Sequence, residues 1–260
     1  MLCSCMAHTK CSGYWWNETG QIILLRNYNK NMNRIFLTYS LTIIGLISFF
    51  LTSCKKDNPA TTYTVTDIDG NIYSTITIGN QTWMSENLKV THYRNGDIIP
   101  NIMDSVTWSN ITTGACSDYN NLPTNGAIYG KLYNWYSVDD NRNIAPVGWH
   151  VSTDADWIIL SNYLGGDTIA GGKLKEIDTT HWESPNKGAS NETGFTALPG
   201  GARGFTGIYA GVRIYGGWWG YCGSDFSTGC YNRWLINDKI IINRNYNFKR
   251  VGLSVRCVKD

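Results

Sequence analysis

An α+β domain built on antiparallel strands is the fold class this sequence predicts, on three observations. Aromatic residues make up 13% of the chain against only 16% charged, with 27 glycines, a mix suited to a turn-rich sheet domain rather than a helical bundle. From Tyr63 onward, short β-favouring runs succeed one another at turn dipeptides. Only two stretches carry a helical period, so the expected architecture is twisted antiparallel sheets, two short helices and long loops rich in Gly and aromatics.

The strands come first. Tyr63 to Ile68, Asn71 to Ile78 and Gln81 to Ser85 are separated by Asp69-Gly70 and Gly79-Asn80, which are hairpin turn pairs, and Asn95-Gly96 marks another hairpin. The Asp67-Ile68-Asp69-Gly70-Asn71 run also opens like a calcium loop. Such a loop needs Gly where Ile72 stands and Glu where Ile78 stands, so a turn is the better reading. The first helix is expected over Tyr129 to Val138, where Leu132, Trp135 and Tyr136 share one side. A second starts at Thr153, with Asp156 completing a capping box and Trp157, Leu160 and Leu164 forming an apolar stripe. Asp154 and Asp156 in its first turn are read as capping and dipole groups rather than paired catalytic carboxylates. Beyond it, Gly165-Gly166, Gly171-Gly172, Gly200-Gly201 and Gly216-Gly217 are read as turn markers. A last strand is expected over Val251 to Val258, with Val251, Leu253, Val255 and Cys257 on one face.

Upstream of the domain the chain carries an export pattern. Arg34 precedes an apolar run from Ile35 to Leu51, and the small residues Thr52 and Ser53 lead to Cys54. A membrane-spanning helix is the competing reading, but Thr38, Ser40, Thr42 and Ser48 dilute the run. Leu51-Thr52-Ser53-Cys54 resembles the bacterial lipobox, which implies lipidation of Cys54. The expected organisation is an upstream extension over 1–31, with Met32 as the start, a lipoprotein signal peptide over 32–53, a tether over 54–62 and one domain over 63–260. Lys55-Lys56-Asp57 resembles outer-membrane sorting, which puts the domain on the periplasmic side or at the cell surface. Cys3, Cys5, Cys11 and His8 lack the regular spacing of a zinc site.

Removing residues 1–53 also changes the charge. The chain has 22 basic and 20 acidic residues; the leader takes Lys10, Arg26, Lys30, Arg34 and Glu18, leaving 18 basic and 19 acidic. No basic stripe remains, which excludes a nucleic-acid partner held by phosphate contacts. Four cysteines are left in an oxidising compartment, and the expected disulfides are Cys222 with Cys230 and Cys116 with Cys257.

Four blocks stand out: Thr82-Trp83-Met84-Ser85-Glu86-Asn87-Leu88-Lys89, Tyr129-Gly130-Lys131-Leu132-Tyr133-Asn134-Trp135-Tyr136, Pro146-Val147-Gly148-Trp149-His150-Val151 and Gly194-Phe195-Thr196-Ala197-Leu198-Pro199-Gly200-Gly201. With the ending Ser254-Val255-Arg256-Cys257-Val258, they closely resemble the Fibrobacter succinogenes major paralogous domain. The resemblance implies an exported bacterial lipoprotein domain, of a fold like the C-type lectin and formylglycine-generating-enzyme group. This chain departs from the pattern at Ser152, where Pro is usual, and at Gly220-Tyr221-Cys222.

The chemistry expected is binding rather than catalysis. His92, His150 and His181 lie in no GxSxG or HExxH setting, and His150 is read as a structural histidine at a strand end, so no catalytic residue, metal ligand or cofactor is assigned. The likeness to formylglycine-generating enzymes suggests a copper oxidase using Cys222 and Cys230, but nothing cationic lies between Tyr221 and Tyr231 to stabilise thiolates. The favoured reading is a non-catalytic domain that binds glycans, with Trp218, Trp219, Tyr221, Arg233 and Trp234 as the contact residues. The alternative is a structural or surface-assembly protein binding a protein partner, with Asn237 to Asn247 as a variable face. The membrane itself is the remaining expected partner, through the lipid. Membrane fractionation of a Cys54→Ala variant tests that anchor: the chain is expected to leave the membrane fraction, and unchanged association would refute it.

Overall fold

The computed structural model describes residues 63–221 and 228–260. The leader, Cys54 and Cys222 lie outside them, and no helix among the described residues is long and apolar enough to cross a membrane. Described residues fall within one unit, Thr61–Asp260. The fold is mixed helix and sheet, as expected.

The opening meander forms as read. Strands β1 (Thr64–Thr66), β2 (Ile72–Ile78) and β3 (Gln81–Met84) pair antiparallel. Asp67 shapes the first turn: its Oδ1 accepts from the backbone N–H groups of Asp69 and Asn71, at 3.0 and 2.9 Å, and its Oδ2 accepts from Tyr73 at 2.6 Å. Downstream come α1 (Ser105–Asn110), β4 (Cys116–Ser117), α2 (Pro123–Tyr129), β5 (Leu132–Tyr133), α3 (Trp135–Val138) and β6 (Trp149–Val151). The second half contributes α4 (Asp154–Tyr163), α5 (Asp167–Leu174), β7 (Gly200–Arg203), β8 (Tyr209–Val212), β9 (Tyr215–Trp219), β10 (Gly229–Ile236), β11 (Asn243–Phe248) and β12 (Cys257–Lys259). One five-stranded sheet runs β1-β2-β3-β12-β6 and a second runs β11-β10-β9-β7-β8, with β4-β5 as a separate pair. Two buried clusters hold them together. One centres on Met84, Tyr133, Trp135, Trp219 and Leu253, and the other packs α4 and α5 onto Trp83, Trp218 and Val258.

Several local expectations change. The two expected helices become five short ones among the described residues. The stretch from Tyr129 to Val138 is not one helix: α2 stops at Gly130, whose φ is +77°, and Asn134 restarts the chain by capping α3 at Ser137 N–H, 3.1 Å away. Gly130 also has no room for a side chain, because a Cβ there would lie 2.7 Å from Asn87 Cβ and 2.9 Å from Leu88 O. Gly216-Gly217 is no turn either; it lies inside β9, where a Cβ on Gly216 would meet the Trp218 ring at 2.4 Å. Similarly, Gly171-Gly172 sits within α5. The capping box at Thr153 and Asp156 does form, and Trp157, Leu160 and Leu164 are buried.

The segment Val251–Val258 departs most from its pattern. Instead of showing one apolar face, all eight residues are buried. The reason is that it runs between sheets: Gly252 bridges Arg203, Leu253 bridges Tyr133, Ser254 bridges Trp218, and Cys257 and Val258 pair with β6 and β3. Cys257 and Cys116 are free thiols, so the expected bridge between them is not formed. Cys116 faces Tyr133 in the β4-β5 pair while Cys257 faces Val151 in the larger sheet, and Cys116 Sγ donates to Ile99 O instead, at 3.8 Å. Burial pushes the Cys116 thiol up to about 12, so it is inert at neutral pH.

Buried cations tie the loops to the sheets. Arg256, fully buried, donates to Met84 O (3.0 Å), Phe195 O (2.7 Å) and twice to Asn87 Oδ1 (3.1 and 2.9 Å), with its guanidinium 4.3 Å from the Phe195 ring centre. Asn87 Oδ1 also accepts from Trp218 Nε1 at 2.8 Å, while its amide donates to Tyr129 O at 2.8 Å. Lys175, equally buried, donates to Lys187 O (3.0 Å), Ile236 O (3.1 Å) and Lys239 O (2.9 Å) over the Trp182 ring. Burial lowers its pKa to about 8. Asn87→Ala would strip a shared acceptor from both Arg256 and Trp218, and is expected to cost about 3 kcal/mol in urea denaturation. A cost below about 1 kcal/mol, that of an ordinary single hydrogen bond, would show that the node is dispensable.

Candidate functional site

The tryptophans expected to meet ligand are instead core residues. Trp218 and Trp219 are wholly buried, and their indole N–H groups donate to Asn87 Oδ1 and Tyr133 O, each at 2.8 Å. Trp219 packs edge-on to Trp135, with ring centres 5.4 Å apart. Arg233 is buried and donates to Asp154 Oδ1 at 2.7 Å. None of these three can offer a surface to a ligand. The physical reason is that β9 is covered on both faces, Trp219 packing into one buried cluster and Trp218 into the other, in a domain poor in Leu that fills its interior with aromatic rings. Trp234 is half-buried against Tyr215, 4.9 Å between ring centres, and Tyr221 is half-buried elsewhere. Cys230 lies at the start of β10; its expected partner, Cys222, is outside the described residues.

Among the described residues, Tyr221 is a predicted contact residue that borders a cleft. This opening of about 470 Å³ is lined by Val138, Asp139, Asp140, Asn141, Asn143, His150, Val151, Thr153 and Tyr221. Its floor is set by backbone pairing. Tyr221 N–H donates to Ser152 O at 2.8 Å and Asp154 N–H donates to Tyr221 O at 3.1 Å, which fixes the strand end beside the start of α4. The Tyr221 ring stacks on Trp135, with centres 5.4 Å and planes 22° apart.

One wall is the loop that follows α3. Asp140 folds it by accepting from the N–H of Arg142 at 2.9 Å and from its guanidinium at 2.9 and 2.7 Å. The Arg142 guanidinium, 4.0 Å from the Tyr93 ring centre, also reaches Asp97 at 3.0 Å. Hydrogen bonding to Arg142 holds the Asp140 carboxyl below the usual range. Asn143, with φ +59°, accepts from Ala145 N–H at 2.8 Å and closes the loop. The Asp139-Asp140-Asn141-Arg142-Asn143 run is the signal that sequence reading passed over: five consecutive polar residues directly after a helix.

His150 also lines the cleft. Its Nδ1 lies 2.7 Å from Asp260 Oδ1 and its Nε2 lies 3.1 Å from Asp156 Oδ2, the same carboxylate that closes the capping box on Thr153 N–H at 2.8 Å. The Asp156 hydrogen bond raises the His150 pKa against the opposing effect of burial, and Asp260 adds to it. His150 is the middle residue of β6 rather than a strand end. Asp154, beside it, is opposed by burial but held ionised by Arg244 and Arg233. No cluster of three metal-binding side chains occurs among the described residues.

These features define a class: a two-sheet α+β domain in which one side of a long-loop surface opens into a polar cleft backed by stacked aromatics. The chain belongs to the Fibrobacter succinogenes major domain family, whose model matches residues 76–259. That match begins within β2 and takes in every residue lining the cleft. No curated protein and no solved structure matches the chain.

Because the folded-state pKa of His150 is raised, its pairing stabilises the domain fully below the ordinary histidine value and is lost as pH rises through the raised one. The stability difference between the native chain and His150→Gln, measured by urea denaturation, is expected to be about 0.5 kcal/mol at about pH 5, discounted for the exposure of the ring, and to vanish at about pH 9. A difference that stays constant over that interval would assign the effect to packing.

Proposed function

We propose that this chain is an exported lipoprotein, held through Cys54 in the outer membrane, whose domain is a non-catalytic binding module on a lectin-like scaffold. Its ligand is a glycan, bound in the cleft beside Tyr221. The observation that carries this reading is the composition of that cleft, whose lining brings Val138, Val151 and Tyr221 together with Asp139, Asn141 and Asn143. Sugar rings need an apolar platform for their C–H face together with fixed acceptors and donors for their hydroxyls, and this cleft supplies both. The reading thus moves the site away from Trp218, Trp219 and Arg233, which are buried.

A protein partner is the second reading, and β11 favours it. This strand forms the edge of its sheet and exposes Arg244, Asn245, Tyr246 and Phe248, within the asparagine-rich stretch singled out in the sequence. An exposed edge accepts a further strand.

Glycan-array binding of the detergent-solubilised full chain separates the two. The array is expected to give positive saccharides, and Tyr221→Ala is expected to weaken them about tenfold, the worth of one aromatic side chain, with an unchanged circular dichroism spectrum verifying the fold. No saccharide binding, with a protein partner recovered through the β11 edge, would favour assembly instead.

A further inference from the structure

The sheet β1-β2-β3-β12-β6 borders a second opening, of about 570 Å³, to which each of its five strands contributes a lining residue. β1 and β6 are the two edges of that sheet, so residues from both edges meet at one hollow. Strand register decides what stands there. Thr77 pairs with Thr82, Val258 with Trp83 and Lys259 with Trp149, which sets Thr77, Thr82, Lys259 and Trp149 in one row across β2, β3, β12 and β6. Two residues along on the same face lie Met84, Cys257 and Val151, all within a buried cluster. The row is therefore the rim at which an apolar core gives way to water, and it is carried by strands rather than loops.

Hydroxyls and one cation furnish that rim. The Thr77 and Thr82 hydroxyls lie 3.1 Å apart, and the Thr75 hydroxyl, also in the lining, donates to Tyr63 O at 3.0 Å. Tyr63 itself is 72% exposed. Lys259 is exposed and is the one charged residue of the lining, and no ion pair among the described residues includes it. Its neighbour Asp260 is engaged by His150, at 2.7 Å. An unanswered ammonium among hydroxyls suits a ligand that brings both an anionic group and hydroxyls of its own, while a cationic ligand would meet the ammonium and find no carboxylate in the lining.

We infer that this opening is a second saccharide site, sharing no lining residue with the cleft beside Tyr221, and that it takes saccharides bearing carboxylates, of the uronic acid type. Lys259 takes the carboxylate, the threonine hydroxyls take hydroxyls of the sugar, and the Tyr63 ring takes an apolar C–H face. A neutral saccharide forgoes the ion pair and binds more weakly.

Calorimetric titration of the full chain in neutral detergent compares a galacturonate tetramer with its methyl ester, the same saccharide without its charges. The acid is expected to bind about tenfold tighter than the ester, an advantage that shrinks severalfold at about 0.5 M salt. Lys259→Met, at an exposed position, is expected to equalise the two, and Thr82→Val to weaken both, with an unchanged circular dichroism spectrum verifying the fold of each variant. Tyr221→Ala is expected to leave uronate binding as it is. Absence of uronate binding at millimolar concentration, equal affinity for acid and ester, selectivity that survives Lys259→Met, or uronate binding lost in Tyr221→Ala would each overturn the inference. The glycan reading of the other cleft is decided separately, by array saccharides whose binding depends on Tyr221.

Discussion

The satisfaction of a buried guanidinium, that of Arg256, is the constraint on which much of this domain depends. Moving such a charge out of water costs several kcal/mol unless its donors are all met. Here they are met by Asn87, by the carbonyls of Met84 and Phe195 and by the face of the Phe195 ring. Those partners belong to two parts of the chain remote from Arg256, so the charge is tolerated only when the end of β3, the loop before β7 and the final segment are all in place. Asn87 then passes the requirement on, because its one carbonyl oxygen also receives Trp218 and its amide holds the end of α2. Four of the blocks that mark the family meet at this point: those of Asn87, Tyr129, Phe195 and Arg256.

The same device recurs where loops are longest. Lys175 collects carbonyls from Lys187, Ile236 and Lys239, and Arg203 collects those of Gly207, Met103 and Ile102 while lying 4.2 Å from the Trp108 ring. Loop carbonyls have no ladder to join, and a buried loop must find donors elsewhere. A long cationic side chain supplies several donors at one point, and an aromatic ring beneath it offsets part of the desolvation. That pairing accounts for the interior position of Trp108, Trp182 and Phe195.

What was legible in the sequence was local. Turns at Gly70 and Gly79, the capping box at Thr153 and the stripe of Trp157, Leu160 and Leu164 each depend on neighbours within a few residues, and each formed as read. What was not legible depends on partners far along the chain. Nothing near Trp218 reveals that Asn87 will take its indole N–H, and nothing near Gly216 reveals that a tryptophan ring will cover it. Alternation in Val251–Val258 suggested one buried face, whereas contacts with both sheets bury every residue. The cleft was half visible: His150, Thr153 and Tyr221 were noticed one by one, but their meeting with Asp139 to Asn143 is set by the pairing of Tyr221 with Ser152 and Asp154.

The position of Val251–Val258 has a kinetic consequence. Its partners, Tyr133, Arg203, Trp218, Trp83 and His150, span most of the domain, and several lie more than a hundred residues earlier in the chain. Contacts of such separation close large loops and slow the search for the native state. The hairpins at the front of the domain can form early, yet neither buried cluster can be completed until this stretch arrives. A chain delivered from its amino end would thus remain open along its middle until this stretch was through.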